Sequence, residues 1–291
     1  MSTHIPAGAV VVGVDGSEHS GIALAWAVQV AQREHRALVI AHGTGRLSPL
    51  HPTQDRGAAR HERRIPGRRI VDGALRLARA AGPDLDIETI VRVDDPISVL
   101  LELAQGAGLV VVGSRGRGPV ASALLGSLSV AVSKAPPCPV VVVRSREAVT
   151  STRVLAAVSG TDEDAGVLEF AARHVDPTSG ALIVVHGLPT RGRQSGGPAD
   201  GRAYDVDPTF RDRHPDLRLQ VVNPSGALDA YLVGESRSAA LIVMGSPGGS
   251  PPRVTQRRSR SHHVIESAAC SVAVVPVRSD ALAPPARAAG L

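Results

Sequence analysis

Aromatic side chains are scarce in this chain, at 2% of its 291 residues. Proteins that bind single-stranded nucleic acid stack bases on aromatic rings, so this scarcity argues against RNA or single-stranded DNA as a partner. The net charge of +5 comes from arginines that are spread over the sequence and form no dense basic block. We therefore expect no nucleic-acid partner, and hydrophobic cores built from Val, Ala, Leu and Ile.

Cysteines and long apolar runs are also few. Two cysteines make no disulfide framework, and Cys138 and Cys270 are more typical of small buried hydrophobic residues than of a redox pair. No apolar run approaches membrane-spanning length, and no cationic segment leads into a long apolar run. These absences predict a soluble cytoplasmic protein with no membrane partner.

Motifs of common catalytic sites are missing as well. The chain contains no G-x4-G-K-[ST] loop, and no obvious carboxylate pair or lysine for phosphoryl transfer lies near its glycine loop. Its 11 histidines form no cluster with metal-ligand spacing, so we expect no metal site. The sequence predicts no catalytic residues, and at most slow hydrolysis of a nucleotide.

An internal repeat is the most informative feature that is present. Segment 8–43 recurs as 152–187, with Trp26 matched by Phe170, and segment 109–116 recurs as 241–248. The chain is therefore two copies of one domain. We expect a first domain at 1–145, a second at 152–278 and a disordered tail at 279–291.

Each copy alternates apolar strands with helices. In the first copy we predict strands at 9–14, 37–41, 87–93, 109–112 and 140–143, and helices at 17–36, 68–81 and 95–105, with another after the glycine loop. The helix at 95–105 is predicted to begin with Asp95 as its cap and Pro96 in its first turn. The polar segments 43–67 and 188–215 predict long loops. Continuous apolar strands between helices indicate a parallel sheet covered on both faces, so the fold class is α/β, with two tandem doubly wound five-stranded sheets.

The strand at 109–112 leads into a glycine-rich segment, G-x2-G-x9-G-S, formed by Gly113, Gly116, Gly126 and Ser127. Glycines let the backbone approach a ligand, and the N-terminus of a following helix attracts anions, so phosphate suits this segment. Arg115 and Arg117 add positive charge beside it. A glycine-rich turn with a capped helix is the alternative.

Three strand ends carry the candidate site. Asp15, Gly43 and Gly113 each follow an apolar strand, and ligands of such sheets bind at the carboxyl ends of strands where the topology reverses. Asp15 is a short acceptor for ribose hydroxyls, or alternatively the N-cap of the next helix. A dinucleotide enzyme is disfavoured because no acidic residue follows Gly116 by about 20 positions.

The segments VVGVDGSEHSGIALAWA and VVGSRGRGPVASALLGSLSVAVSKAPPCPVVVV resemble the universal stress protein family in its tandem form. The resemblance covers nearly all of 8–144 and, more loosely, 152–277. It implies a Rossmann-like, adenine nucleotide α-hydrolase-like fold and a role in stress response. The glycine motif together with Asp15 resembles the ATP-binding subclass. ATP is therefore the expected cofactor, either with or without a bound Mg²⁺.

The resemblance also assigns binding residues by position. It implies that Gly13, Val14 and Asp15 contact adenosine, that the Gly43 backbone meets the adenine edge, and that Val112 and Gly113 support the ribose. The phosphates would be held by Gly116, Arg117, Gly126, Ser127 and Leu128. An adenine nucleotide and a protein that the sequence does not name are the expected partners, and a homodimer is left open.

The second copy departs from this pattern. Ser159 stands in place of Asp15, and Arg258 stands in place of Gly126. An arginine there blocks backbone approach to phosphate, or alternatively pairs with phosphate directly. We predict one nucleotide site per chain. The alternative to a nucleotide-binding protein is a protein of another functional class, a structural scaffold that binds no nucleotide.

Overall fold

The computed structural model describes residues 4–45, 56–116, 129, 131, 136–144, 151–161, 164–187, 204–246 and 260–276. The chain divides into two compact units, Met1–Ser145 and Arg146–Leu291, with parallel strands in each. The predicted tail and most of the helix predicted after Gly126 lie outside the described residues.

The first unit alternates strands and helices along the chain. Its elements are β1 (Val10–Gly13), α1 (Glu18–Arg33), β2 (Leu38–Gly43), α2 (Arg56–Ala81), β3 (Ile87–Arg92), α3 (Pro96–Leu103), β4 (Leu109–Gly113) and β5 (Val140–Val143). The N-cap of α1 is Ser17, whose hydroxyl accepts the N–H of Ser20 at 3.2 Å, and not Asp15, the cap considered from the sequence. Asp95 caps α3 before Pro96, as predicted.

The strands of this unit lie in the order β3-β2-β1-β4-β5, and the neighbours pair in parallel. Helices α1 and α2 pack together on one face of the sheet, while α3 packs against β1 and β2 on the other, where Leu100 faces Gly13. Because both faces are covered, the valines of the central strands are fully buried. The predicted doubly wound parallel sheet is confirmed.

Helix α2 corrects the predicted loop at 43–67, since it begins at Arg56 rather than near Arg68. The Pro66-Gly67 pair indicated a break, yet the helix continues through it. Its buried residues, Gly67, Val71, Ala74 and Ala78, all follow Pro66, and the described side chains that precede Gly67 are exposed. Burial therefore does not account for the added turns, which continue through the proline although it removes a backbone hydrogen-bond donor.

The second unit repeats the order of strands. Its elements are β6 (Arg153–Val158), α4 (Asp164–Arg173), β7 (Ala181–His186), α5 (Pro208–Arg213), β8 (Leu219–Val222), α6 (Leu228–Glu235), a 3₁₀ turn (Ser236–Ser238), β9 (Leu241–Gly245), α7 (Arg260–Ser267) and β10 (Ser271–Val275). The order β10-β9-β6-β7-β8 is parallel throughout and matches the first unit.

Helix α5 corrects the loop predicted at 188–215. Asp207 caps it by accepting the N–H of Thr209 at 2.7 Å, and Phe210 is buried at 2% exposure. Its C-terminal end is tied to α4, because Glu169 accepts from Arg213 Nη2 at 2.7 Å. This short helix gains its stability from packing against α4.

Candidate functional site

The winding of the first sheet reverses between β1 and β4. Strand β1 pairs with β2 on one side and with β4 on the other, and Val12 lies opposite Val111. The register brings the carboxyl ends of β1 and β4 side by side, at Gly13 and Val112. In doubly wound sheets this reversal point is where ligands bind.

The loops that follow β1 and β4 meet at Asp15 and Gly116. The Ser17 N–H donates to Asp15 Oδ1 at 2.9 Å, which fixes the carboxylate at the start of α1. A methyl group added at Gly116 would lie 2.9 Å from Asp15 Oδ2. Two residues that lie far apart in the sequence and were both assigned to nucleotide binding are therefore neighbours.

Gly113 has a structural reason to be glycine. A methyl group there would lie 2.7 Å from the carbonyl oxygen of His19 and 3.1 Å from the backbone nitrogen of Ser20. The Gly113 carbonyl in turn accepts the Ser129 hydroxyl at 2.8 Å. The absent side chain lets the first turn of α1 pack directly on the end of β4.

Gly43 is held by the loop between β3 and α3. A methyl group at Gly43 would lie 2.7 Å from Pro96 Cα, and the N–H of Thr44 donates to the Arg92 carbonyl at 2.9 Å. Next to it, His42 Nδ1 lies 2.6 Å from the Val14 carbonyl oxygen and links the ends of β2 and β1. Gly43 is thus at the same sheet edge as Asp15, one strand away.

A cavity of about 690 Å³ adjoins this edge, between α1 and α2. From the β1 loop it is lined by Val14, Gly16 and Ser17, and from α2 by residues that include Ile70 and Arg76. Its volume lies within the range of small-molecule sites. Sequence reasoning missed it, because the cavity depends on how α1 and α2 pack together, which no local pattern shows.

Four of the predicted binding residues, Arg117, Gly126, Ser127 and Leu128, lie outside the described residues. Arg115 is exposed at the start of the glycine segment, while Ser114 is buried and its N–H donates to the Val143 carbonyl at 2.9 Å. The described part of the loop is therefore anchored to β5 up to Ser114. Beyond that point it turns toward Asp15.

Groups of three or more His, Cys, Asp or Glu side chains that could hold a metal ion are absent from the described part of the chain. Among the described helices, none is both long and apolar enough to cross a membrane.

The sheets and the strand ends define a Rossmann-like, doubly wound α/β protein with two domains. The family model of the universal stress protein family matches residues 7–144 and, a second time, residues 150–276. The chain therefore belongs to the universal stress protein family, in a tandem form.

The chain is similar to curated relatives and to solved structures. Universal stress protein Rv2624c of Mycobacterium tuberculosis is 29% identical over 274 residues, which cover 91% of this chain and 95% of that protein. A universal stress protein structure from Archaeoglobus fulgidus covers 94% of this chain and 97% of its own, with a TM-score of 0.70 at 22% identity, and shows the same fold. A universal stress protein solved in complex with cAMP is 33% identical, covers 48% of this chain and 99% of its own, and has a TM-score of 0.39.

Proposed function

We propose that the first domain binds an adenine nucleotide, ATP, where β1 and β4 end, and that the protein is a nucleotide-dependent regulatory module of the stress response. The observation that carries the proposal is the contact between the Asp15 carboxylate and the position of Gly116. It brings an acceptor suited to ribose next to the glycine segment suited to phosphate.

Asp15 is the proposed ribose acceptor. Its Oδ1 is oriented by the Ser17 N–H, so the carboxylate has a defined direction before a ligand arrives. An ionised carboxylate offers about four acceptor positions, so it can hold ribose hydroxyls while keeping the Ser17 bond. Hydrogen bonds to a charged group are stronger than neutral ones, which makes Asp15 the residue with the largest expected effect on binding.

The other contacts with the nucleotide are proposed for residues that lie along the same edge of the first sheet or in the glycine segment that follows it. The backbone of Gly13, Val14, Val112 and Gly113 would support the ribose, and the backbone of Gly43 would meet adenine. Gly116, Arg117, Gly126, Ser127 and Leu128 would hold the phosphates, with or without Mg²⁺. Because the chain lacks a P-loop motif, we propose binding with at most slow hydrolysis.

The nucleotide would act by favouring one conformation of the loop that begins at Gly113. A ligand shifts such an equilibrium only by as much as it binds one state better than the other. The ordered loop would present a surface to a protein partner in the cytoplasm. A homodimer is one form that this partner could take.

Calorimetry of the full chain with ATP, ADP, adenosine and NADH tests the proposal. Asp15→Ala should weaken all three adenosine compounds by about tenfold or more, since a charged hydrogen bond is lost. Ser127→Ala should weaken ATP more than adenosine, since only phosphate meets that hydroxyl. Ser159→Ala, at the matching place in the second domain, is the control and should bind like the parent.

Other outcomes would identify another function. A parent protein that binds none of these compounds, and releases no nucleotide to mass spectrometry on denaturation, would be a structural scaffold. Preference for NADH would instead indicate a dinucleotide enzyme. Equal binding of all ligands by Ser127→Ala and the parent would show that the phosphate role given to this loop is wrong.

A further inference from the structure

The second domain has the same loop after its first strand but a different source of negative charge. Gly16 and Gly160 match in sequence and in backbone, with φ of 76° and 82°. In the first domain the carboxylate beside this glycine belongs to Asp15, whereas Ser159 occupies that place in the second. There the carboxylate comes from Asp164, at the start of α4.

Asp164 takes up the hydrogen-bond donors of this loop. Its carboxylate accepts the backbone N–H groups of Ser159 at 2.9 Å, Gly160 at 2.6 Å and Thr161 at 3.0 Å. It also accepts the Ser159 hydroxyl at 3.2 Å, and Asp164 itself is only 7% exposed. A buried carboxylate with four donors is well stabilised and is costly to displace.

The matching residue of the first domain cannot do this. Ser20 stands where the second domain has Asp164, and its hydroxyl donates to the Ser17 carbonyl at 2.9 Å. The first domain therefore has its carboxylate at the strand end, directed toward Gly116, and the second has it folded back into the loop.

The Tyr204 ring lies next to Gly160 of the same loop. Its ring stacks on His186 with a centroid distance of 4.7 Å and an interplanar angle of 14°. A methyl group at Gly160 would lie 3.7 Å from Tyr204 Cδ2 and 3.0 Å from His186 Nε2. Burial, and then the negative charge of Asp164, raise the pKa of Tyr204 to about 12, so its hydroxyl stays protonated at neutral pH.

In the first domain, the histidine at the matching place has different neighbours. His42 Nδ1 lies 2.6 Å from the Val14 carbonyl, and a methyl group at Gly67 of α2 would lie 3.0 Å from its ring. His186 Nδ1 instead lies 3.0 Å from Asn223 Oδ1. The second domain thus places an aromatic ring over a strand end that α2 approaches in the first.

We propose that Asp164 and Tyr204 determine which domain takes a ligand, by occupying the second domain's counterpart of the nucleotide site. This inference rests on the proposed function of the first domain. An incoming ribose finds the Ser159 hydroxyl and the loop N–H groups bound to Asp164, and it meets the Tyr204 ring next to Gly160. Each chain therefore binds one nucleotide.

Calorimetry of full-length variants with ATP tests this. The parent should bind one ATP per chain. Arg258→Gly combined with Ser159→Asp, Asp164→Ser and Tyr204→Ala gives the second domain the first domain's residues at the loop and at the glycine segment, and it should bind two. Arg258→Gly combined with Ser159→Asp is the matched control and should still bind one, because Asp164 and Tyr204 remain in place.

The outcomes separate this inference from the proposed function. A parent that binds no ATP contradicts the function of the first domain. A parent that binds two, or a quadruple variant that keeps the parent's circular dichroism yet binds one, overturns the inference. Should the quadruple variant not fold, the control decides: one ATP per chain supports the inference, and two overturn it.

Discussion

Glycines at the sheet edge of the first domain fall into two groups. Gly43 and Gly113 are glycine because backbone atoms of neighbouring segments lie within 2.7 Å of where a methyl group would be. Gly116 faces only the end of the Asp15 side chain, at 2.9 Å. The first group is needed for folding, and Gly116 is available for a ligand.

This difference leads to a paired prediction. Gly113→Ala should lower the free energy of unfolding by about 1–3 kcal/mol, since the first turn of α1 must move. Gly116→Ala should leave stability nearly unchanged, because a carboxylate can rotate away, but should weaken ATP binding by about fivefold or more. Chemical denaturation and calorimetry measure the two effects. Equal loss of stability in both variants would contradict the division.

Cys138 illustrates a residue whose role follows from burial. It is 5% exposed, and burial raises the pKa of its thiol to about 12. Since the thiolate is the reactive form, neither Cys138 nor the buried Cys270 should react with a thiol reagent at neutral pH in the native protein. Both should react after denaturation. Rapid labelling of native Cys138 would disprove this.

Short elements depend on signals that are easily overlooked. Asp95-Pro96 predicted the start of α3 correctly, and the same pair at Asp207-Pro208 begins α5 inside a segment taken as loop. The signal was present in both places. The polar composition around Asp207 outweighed it, and only packing against α4 distinguishes the two readings.

The turn between α4 and β7 gives a prediction about pH. The Thr178 hydroxyl, and then the N–H groups of Ser179 and Thr178, lower the pKa of Asp176 to about 2. Because the folded-state pKa lies below that of the unfolded chain, the stabilisation is complete above about pH 4 and is lost as pH falls toward 2. The stability difference between the parent and Asp176→Ala should shrink over that range. A constant difference from pH 5 to pH 2 would contradict it.

At the scale of the whole molecule, the two domains share the same order of strands, yet we expect them to respond differently to ATP. At 100 times its dissociation constant, a ligand stabilises the domain it binds by about 2.7 kcal/mol. In hydrogen exchange of the full chain, ATP should protect peptides spanning 10–17 and 109–116 and leave 153–161 unchanged. Asp15→Ala should abolish the protection. Equal protection of both domains would show that the second domain is also occupied.

The sequence by itself determined the repeat, the parallel α/β class and the family. These follow from patterns that are local or that recur along the chain: valine-rich strands, the Asp95-Pro96 start and the match between segments 8–43 and 152–187. Each is visible without knowing which residues meet in space.

Tertiary structure alone decided the rest. The approach of Asp15 to Gly116 joins residues from two strand ends. The stacking of Tyr204 on His186, next to Gly160, likewise depends on how a distant segment returns to the β6 loop. Such contacts arise from packing between segments far apart in the chain, and no local pattern encodes them.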